Sequence, residues 1–354
     1  MCAPLFACDG TPEDCAEAFA RGCACGDPPR HHLARVESRL PGSALRPDLF
    51  WTGAHLVSNV RVGRSDGRMI TYRIDVRDAS GATSRWRGHG PGVEYHIFGN
   101  HGTTLYGRLE PGAIGIFDAD SGARSVRRLE SGFDPPRRTD TIFNSLFPLE
   151  DGHLLLHESS AFVGDPWQGR FGVLAPDQSV ARVRSVETRY GHHVIATDGR
   201  RALVGEGRGT IEQVYVYDAW ADTLSGPHAF PYSAMMLAFP IPTGRGWLGA
   251  GWARVEGDHR RLRFVALDHE GAVTSSIDGG VNIMEPRLAT NGEEHLLLYD
   301  RIVLDHPLGP HMLHRAELVV LRVDDEGRPL GTPRAIAETW TRFNPHGLAW
   351  AGYS

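Results

Sequence analysis

Residues 321–331 read Leu-Arg-Val-Asp-Asp-Glu-Gly-Arg-Pro-Leu-Gly, an apolar strand that runs into an acidic turn containing glycine. The same pattern occurs five times earlier, at residues 72–81, 114–122, 171–177, 214–218 and 264–271. Aspartate suits such turns because its side chain accepts hydrogen bonds from the local backbone, and glycine because it adopts a positive φ. The interval between successive turns averages about 49 residues, which is the length of a four-stranded propeller blade.

A second hairpin precedes each of these turns and also turns on glycine. The six glycines are Gly53, Gly102, Gly152, Gly199, Gly244 and Gly292. Two hairpins per unit give four antiparallel strands, numbered from the inside of the ring outward. Residues 343–352 repeat the start of a unit, and residues 32–40 can supply its outer strand. The sequence therefore predicts an all-β protein, a β-propeller of seven four-stranded blades, with six as the alternative, closed by N- and C-terminal strands.

The composition excludes several classes of protein. Hydrophobic residues make up 41% of the 354, and the formal net charge is −6, so we expect a packed core and no nucleic-acid partner. The chain contains no lysine, which excludes Schiff-base and P-loop chemistry. No apolar run reaches the ~18 residues of a membrane span, so we expect membrane contact only through a lipid anchor.

The cysteines divide the chain into two regions. All five lie within residues 1–25, and the remaining residues have none. We therefore predict a Cys-rich N-terminal segment over 1–31, with a short helix beginning at Thr11, and a propeller over 32–354. Cys15, Cys23 and Cys25 are the disulfide candidates. A zinc site is the alternative, although the spacing lacks the paired C-x2-C of common structural zinc sites.

Residues 5–8, Leu-Phe-Ala-Cys, match a degenerate bacterial lipobox, which makes Cys8 a candidate for lipidation. This interpretation requires a longer signal segment upstream of Met1. We expect an extracytoplasmic location, in the periplasm, on the outer-membrane surface or secreted. A cytosolic protein with a fortuitous cysteine cluster is the alternative.

The chain resembles the bacterial extracytoplasmic β-propeller repeat proteins, many of which are predicted lipoproteins. The resemblance covers residues 33–354 and depends on inner strands such as residues 285–289, Glu-Pro-Arg-Leu-Ala, and on the hairpin at 321–331. It implies a propeller fold and an exported protein. Because this family shares no reaction, the resemblance transfers no catalytic residue.

Three histidines are the candidates for a metal site. When the inner hairpins are aligned on their turn glycines, the position six residues earlier holds Pro47, His96, Leu146, His193, Ala238, Pro286 and His346. His96, His193 and His346 fall in blades two, four and seven, which is close to threefold spacing. Imidazoles converging on the axis could hold a divalent metal with one position open for substrate. The alternatives are core histidines bonded to carbonyls and a metal-free acid–base or ligand-binding role.

Four further residues are candidates for ligand binding. His192, Glu285 and Asn344 lie next to the histidine column, and Trp167 is predicted on an exposed loop at the rim. His306, His311 and His314 are predicted on an exposed Pro-rich loop, with metal or partner contact as the alternative. We expect a non-enzymatic propeller that binds a protein, glycan or small ligand through rim loops. The alternative is a hydrolase or lyase with a His-based central site, either metal-dependent or metal-free.

Overall fold

The structure is a computed structural model. It describes residues 7–8, 24–25, 44–52, 54–63, 70–77, 83–87, 96–110, 113–128, 143–160, 166–177, 179–207, 211–230, 236–254, 260–281, 283–308 and 311–339. No helix within these ranges is long and apolar enough to cross a membrane.

The strands form six four-stranded sheets, each an antiparallel meander in chain order. Sheet 1 holds β3 (Ala44–Trp51), β4 (Leu56–Gly63), β5 (Ile70–Arg77) and β6 (Thr83–Arg87); sheet 2 holds β7 (His96–His101), β8 (Thr104–Glu110), β9 (Ala113–Asp118) and β10 (Arg124–Arg128). Sheet 3 holds β11 (Phe143–Pro148), β12 (Leu154–Ser160), β13 (Trp167–Leu174) and β14 (Val180–Thr188); sheet 4 holds β15 (His192–Thr197), β16 (Arg201–Glu206), β17 (Gln213–Asp218) and β18 (Thr223–Ala229). Sheet 5 holds β19 (Met236–Thr243), β20 (Gly246–Arg254), β21 (Arg260–Leu267) and β22 (Val273–Val281); sheet 6 holds β23 (Ile283–Thr290), β24 (His295–Leu308), β25 (His311–Val323) and β26 (Arg334–Thr339).

The first strand of each sheet contacts the first strand of the next sheet, from β3 through β23. The fold is therefore a β-propeller whose first strands are innermost, as the sequence predicts. The predicted number of blades needs correction: the described residues form six sheets joined through five interfaces, and seven blades is wrong. The predicted closing strands, at 32–40 and 343–352, lie outside the described residues. A fifty-residue period defines a blade but does not set how many blades share one axis.

Aspartate closes the outer-hairpin turns as the sequence predicts. The Oδ1 atoms of Asp118, Asp218, Asp268 and Asp324 each accept hydrogen bonds from backbone N–H groups two to four residues later. The hydroxyl and backbone N–H of Ser121 hold the pKa of Asp118 below its usual value. Gly122, Gly271 and Gly327 have φ values of 69°, 94° and 84°, which favour glycine. These turns set where each outer strand begins.

The core consists of apolar clusters that each draw side chains from two consecutive sheets. Between sheets 3 and 4, for example, Leu155 and Phe171 pack against Val204 and Tyr217. Between sheets 5 and 6, Phe264 packs with residues of both sheets and is fully buried. Because both faces of most sheets are covered in this way, inner strands are apolar on both sides near mid-strand.

Polar side chains also join consecutive sheets, and they end on the outer-hairpin turn of the following sheet. His55 of sheet 1 contacts Asp120 of sheet 2 at 2.5 Å. Arg182 of sheet 3 donates to the carbonyl of Trp220 at 3.0 Å, and Arg245, ahead of β20, donates to Glu326 of sheet 6 at 2.9 Å. The acidic turns therefore stabilise both their own hairpin and the neighbouring sheet.

The Cys-rich segment is described only at β1 (Ala7–Cys8) and β2 (Ala24–Cys25), which pair in parallel and place Cys8 opposite Cys25. The predicted helix from Thr11, and with it Cys15 and Cys23, lies outside the described residues. The boundary between 1–31 and 32–354 remains a prediction.

The histidine-rich insertion of sheet 6 differs from its prediction. β24 and β25 continue past the sheet as a two-stranded ribbon, in which Asp305 pairs with His314 and His306 with Leu313. His306, His311 and His314 all lie within these two strands, so the prediction of a loop there is wrong. Pro307 lies near the end of β24, close to the ribbon tip, where proline is tolerated.

Candidate functional site

The inner strands carry β-bulges that change the predicted histidine column. In sheets 1 and 6, two residues of the inner strand oppose one of the second strand, and Pro47 and Pro286 occupy these bulges. The corresponding bulge of sheet 5 holds Pro240, two residues after the predicted Ala238. Proline is suited to a bulge because it donates no ladder hydrogen bond. Counting six residues back from the turn glycine therefore aligns bulge residues of sheets 1 and 6 with a regularly paired residue, Ala238, of sheet 5.

His96 and His193 nevertheless occupy the same position. Each is the second-to-last paired residue before the bulge of its strand. His96 pairs with Arg108, and His193 pairs with Gly205. His346 lies outside the described residues. Where side chains are described, no group of three or more His, Cys, Asp or Glu residues is arranged to hold a metal ion. The three-histidine centre therefore remains a prediction.

A different set of polar residues meets between sheets 3 and 4, at the end opposite the inner-hairpin turns. We call this set the polar end; it comprises His157, Ser159, Trp167, Tyr190, Glu206, Gln213 and Tyr215. Side chains on a strand alternate between its two sides. Because Leu155 and Phe171 face sheet 4, His157, Ser159 and Trp167 share that side. Because Val204 faces sheet 3, Glu206 also does.

Glu206 is the centre of this arrangement. It is the last residue of β16, and only 2% of its surface is exposed. Its Oε2 accepts a 2.6 Å hydrogen bond from the Tyr215 hydroxyl, and its Oε1 accepts a 2.9 Å bond from the backbone N–H of Tyr190. Gln213, opposite Glu206 on β17, places its side-chain oxygen 3.4 Å from the Tyr215 hydroxyl.

Burial, followed by the hydrogen bond to Glu206, raises the pKa of the Tyr215 phenol above its usual value. The phenol therefore remains a hydrogen-bond donor at neutral pH and is unsuited to act as a base. The Tyr215 side chain is half-buried and packs against the apolar cluster between sheets 3 and 4.

Trp167 is placed differently from its prediction. It begins β13 and is half-buried, so it is not on an exposed loop. Its six-membered ring lies against Gly191, where an added Cβ would be 3.2–3.3 Å from three ring carbons. Gly191 also accepts a 3.4 Å hydrogen bond from Gly207, the residue after Glu206. The indole thus packs on the connector between β14 and β15, residues 189–191, which also supplies the Tyr190 N–H to Glu206.

The His157 ring of the polar end packs on a stack of buried aromatic rings. The His157 ring lies 5.0 Å from the Phe171 ring, and Phe171 stacks on Tyr217 at 4.7 Å. All three side chains are buried. This stack separates the polar end from the acidic turns at the other end of the sheets.

Of the predicted ligand-binding residues, Trp167 belongs to the polar end. The backbone of His192, at the start of β15, pairs opposite Glu206 in the strand register. Glu285 lies in the bulge of β23, two sheets away. Asn344 lies outside the described residues.

Glu206 itself was missed by sequence reasoning. The sequence does hold a signal for it. Glu206 lies on the same side of the apolar strand Ala202-Leu203-Val204-Gly205-Glu206 as Ala202 and Val204, but it also belongs to the glycine-rich run 205–209, whose composition is typical of a loop.

A second polar constellation joins two turns of sheet 6. The buried His295 ring places Nδ1 2.9 Å from the Thr290 hydroxyl and Nε2 2.8 Å from Asp325. The order of hydroxyl, imidazole and carboxylate matches that of hydrolytic triads. However, the Thr290 hydroxyl accepts the N–H of Gly292, and Thr52 and Thr243 accept turn N–H groups in the same way in sheets 1 and 5. This recurrence assigns the constellation to turn stabilisation.

No protein-family model matches this chain, and comparison with curated proteins gives no match either. Among solved structures, the chain is similar to the acylaminoacyl peptidase of Pyrococcus horikoshii, at 11% identity and a TM-score of 0.47, over 82% of this chain and 52% of the peptidase. It is also similar to BamB from Moraxella catarrhalis, at 12% identity and a TM-score of 0.39, over 82% and 75% of the two chains. The β-propeller domain of the Trilobed protease from Pyrococcus furiosus matches at 11% identity and a TM-score of 0.44, over 86% and 98%.

The chain thus spans about half the length of the peptidase. Similarities at this level carry no functional conclusion, and the assignment as a β-propeller depends on the sheet topology itself.

Proposed function

We propose that this chain is a ligand-binding β-propeller whose site is the polar end between sheets 3 and 4. The observation that carries the proposal is the burial of Glu206 beside Tyr215, Tyr190 and Trp167. Buried polar side chains in a propeller interface must be compensated, and an apolar interface such as that between sheets 5 and 6 would be simpler. The polar groups are therefore best explained as the recognition set of a small ligand.

The chemistry of the polar end suits recognition. It offers the Glu206 carboxylate, the Tyr215 phenol, the Gln213 amide and the Trp167 indole at one end of the interface between sheets 3 and 4. The strands that carry them are held by a packed core. Aromatic surface with a few positioned polar groups is the usual composition of a small-molecule site. A small ligand is favoured over a protein or a glycan polymer because the polar end involves only two sheets.

A screen by thermal denaturation tests the proposal. Amino acids, amines, sugars and nucleosides would be added one at a time to the purified chain and to its Trp167→Leu variant. A ligand that raises the Tm of the chain but not of the variant supports the site. The Arg245→Ala variant, at the other end of the sheets, serves as the control and should respond like the unaltered chain. A hit that is unaffected by Trp167→Leu would place the ligand elsewhere and overturn the proposal.

A hydrolase or lyase with a His-based centre is the second candidate. One observation favours it: His96 and His193 occupy equivalent positions on the inner strands of sheets 2 and 4. Metal analysis of the purified chain tests it. A stoichiometric divalent ion that is lost in His193→Ala supports a metal centre, and a metal-free protein would contradict it.

We also propose an extracytoplasmic location, because all five cysteines lie in the N-terminal segment and none in the propeller. Cys8 as a lipidation site belongs to this proposal. Fractionation of the native host, with palmitate labelling of the chain and of a Cys8→Ser variant, tests both. Label that persists in the variant would contradict lipidation at Cys8.

A further inference from the structure

Glu206 is a buried acid to which the structure gives no cationic partner among the described residues. Within the described part of the chain, its carboxylate accepts hydrogen bonds from the Tyr215 hydroxyl and the Tyr190 backbone N–H alone. Moving a carboxylate from water into a protein interior costs several kcal/mol, and a nearby cation normally offsets this. Two neutral donors offset it only in part.

Glu158 provides the matched contrast. It lies near the end of β12, as Glu206 does on β16, and it is equally buried. The Arg170 guanidinium lies 3.2 Å from its carboxylate, so this charge is compensated within the chain. Glu158 faces sheet 2, whereas Glu206 faces the polar end. The Glu206 carboxylate instead lies beside the Tyr215 phenol and the connector on which Trp167 packs.

Those aromatic residues suit a cation. Tyr215 bonds the carboxylate, Tyr190 lies on the connector, and Trp167 packs on the next residue of that connector. The guanidinium of Arg189 lies 5.0 Å from the centre of the Tyr190 ring, so this ring already contacts a cation. Aromatic faces beside a carboxylate are the arrangement that binds ammonium and guanidinium groups.

We propose that the ligand of the polar end is an organic cation, an ammonium or guanidinium compound, with Glu206 as its counter-ion. This proposal depends on the proposed binding function of the same site. The carboxylate would supply the charge, and Trp167 and Tyr190 would supply the surfaces that exclude water. A neutral ligand of the same shape would leave the charge of Glu206 as it is in the free protein.

Isothermal titration with two matched probes tests the charge. Choline carries a quaternary ammonium group, and 3,3-dimethylbutan-1-ol is its neutral isostere. Acetyl-arginine amide forms a second arm, which distinguishes a guanidinium side chain from a small ammonium compound. We expect at least one cationic probe to bind about tenfold or more tightly than the neutral alcohol.

Two variants connect the preference to this site. Glu206→Gln keeps the shape and should remove the preference for the cation, whereas Glu158→Gln should keep it. If Glu206→Gln fails to fold, Trp167→Leu provides the second test and should weaken binding of the cation by a similar factor. Equal binding of cation and neutral isostere by the unaltered chain would overturn the inference.

The two proposals fail in different ways. A neutral sugar or nucleoside that binds in a Trp167-dependent manner, with no cation bound, would overturn the cation assignment and leave the binding function standing. Absence of any Trp167-dependent ligand would overturn both.

Discussion

The Tyr215 hydroxyl donates a 2.6 Å hydrogen bond to the Glu206 carboxylate, and the two residues lie on adjacent strands of sheet 4. This bond replaces part of the solvation that Glu206 loses on burial. It also fixes the phenol at the interface with sheet 3. The stability of the propeller and the properties of the candidate site are therefore coupled through one pair of side chains.

Removing this bond should destabilise the fold. Tyr215→Phe leaves one oxygen of a buried carboxylate without its donor, which typically costs about 1–3 kcal/mol in the free energy of unfolding. Urea denaturation followed by circular dichroism measures the change. Tyr106→Phe is the control, since Tyr106 is a largely buried tyrosine that packs between sheets 2 and 3, away from Glu206. Equal losses in the two variants would contradict a specific role for the Tyr215 bond.

Alkaline pH should destabilise the protein through its tyrosines. Burial raises the pKa values of Tyr215 and Tyr217 above the ordinary value of about 10. Their folded pKa values exceed the unfolded ones, so their contribution to stability is present below about pH 10 and is lost as the pH rises towards the folded pKa values. Because the chain has no lysine, tyrosines dominate titration in this range.

The measurement is the free energy of unfolding against pH, with phenolate absorbance followed on the same samples. Tyr217→Phe should flatten the decline above about pH 10. An unchanged decline, or phenolate formation by every tyrosine before unfolding, would contradict the prediction.

Glycine is required at Gly327 for two reasons, and the second is steric. Its φ is 84°, and an added Cβ would lie 2.4 Å from the Cβ of Phe264. Gly327→Ala should therefore cost about 1 kcal/mol for the backbone and a further 1–3 kcal/mol for overpacking. Gly292→Ala is the matched control, because Gly292 has a φ of 97° and open space around it. Thermal denaturation should rank Gly327→Ala well below Gly292→Ala, and similar Tm values would contradict the packing argument.

The buried hydrogen bonds of Thr290, His295 and Asp325 in sheet 6 should contribute more to the free energy of unfolding than an exposed ion pair does. His295→Leu removes two hydrogen bonds of a buried imidazole and leaves Thr290 and Asp325 without that partner, at a cost of about 1–3 kcal/mol. Arg245→Ala removes an ion pair to Glu326 whose arginine is 73% exposed, and it should cost less than about 1 kcal/mol. Chemical denaturation compares the two variants. If Arg245→Ala were the more damaging variant, the turn-stabilising role of His295 would be wrong.

The propeller could be predicted because its signals are local. Asp118, Asp268 and Asp324 each stabilise a turn by hydrogen bonds to residues at most four positions later, and alternating apolar residues indicate the strands between the turns. The bulges at Pro47 and Pro240 could not be placed in this way. A bulge adds a residue to one strand while its side chains still alternate on either side of the bulge. Aligning the strands by their turns therefore matched Ala238, which precedes the bulge of sheet 5, with Pro47, which lies in the bulge of sheet 1.

The amino-acid sequence by itself determined the all-β class, the repeating pair of hairpins and the order of strands from the inside of each sheet outward. Those features arise from interactions between residues close in the chain. Only the tertiary structure decided the number of sheets found in the described residues and which polar residues share an interface. Trp167 meets the connector that leads into β15 because sheet 3 packs on sheet 4. Strand periodicity specifies the side of a residue but not the sheet that covers it.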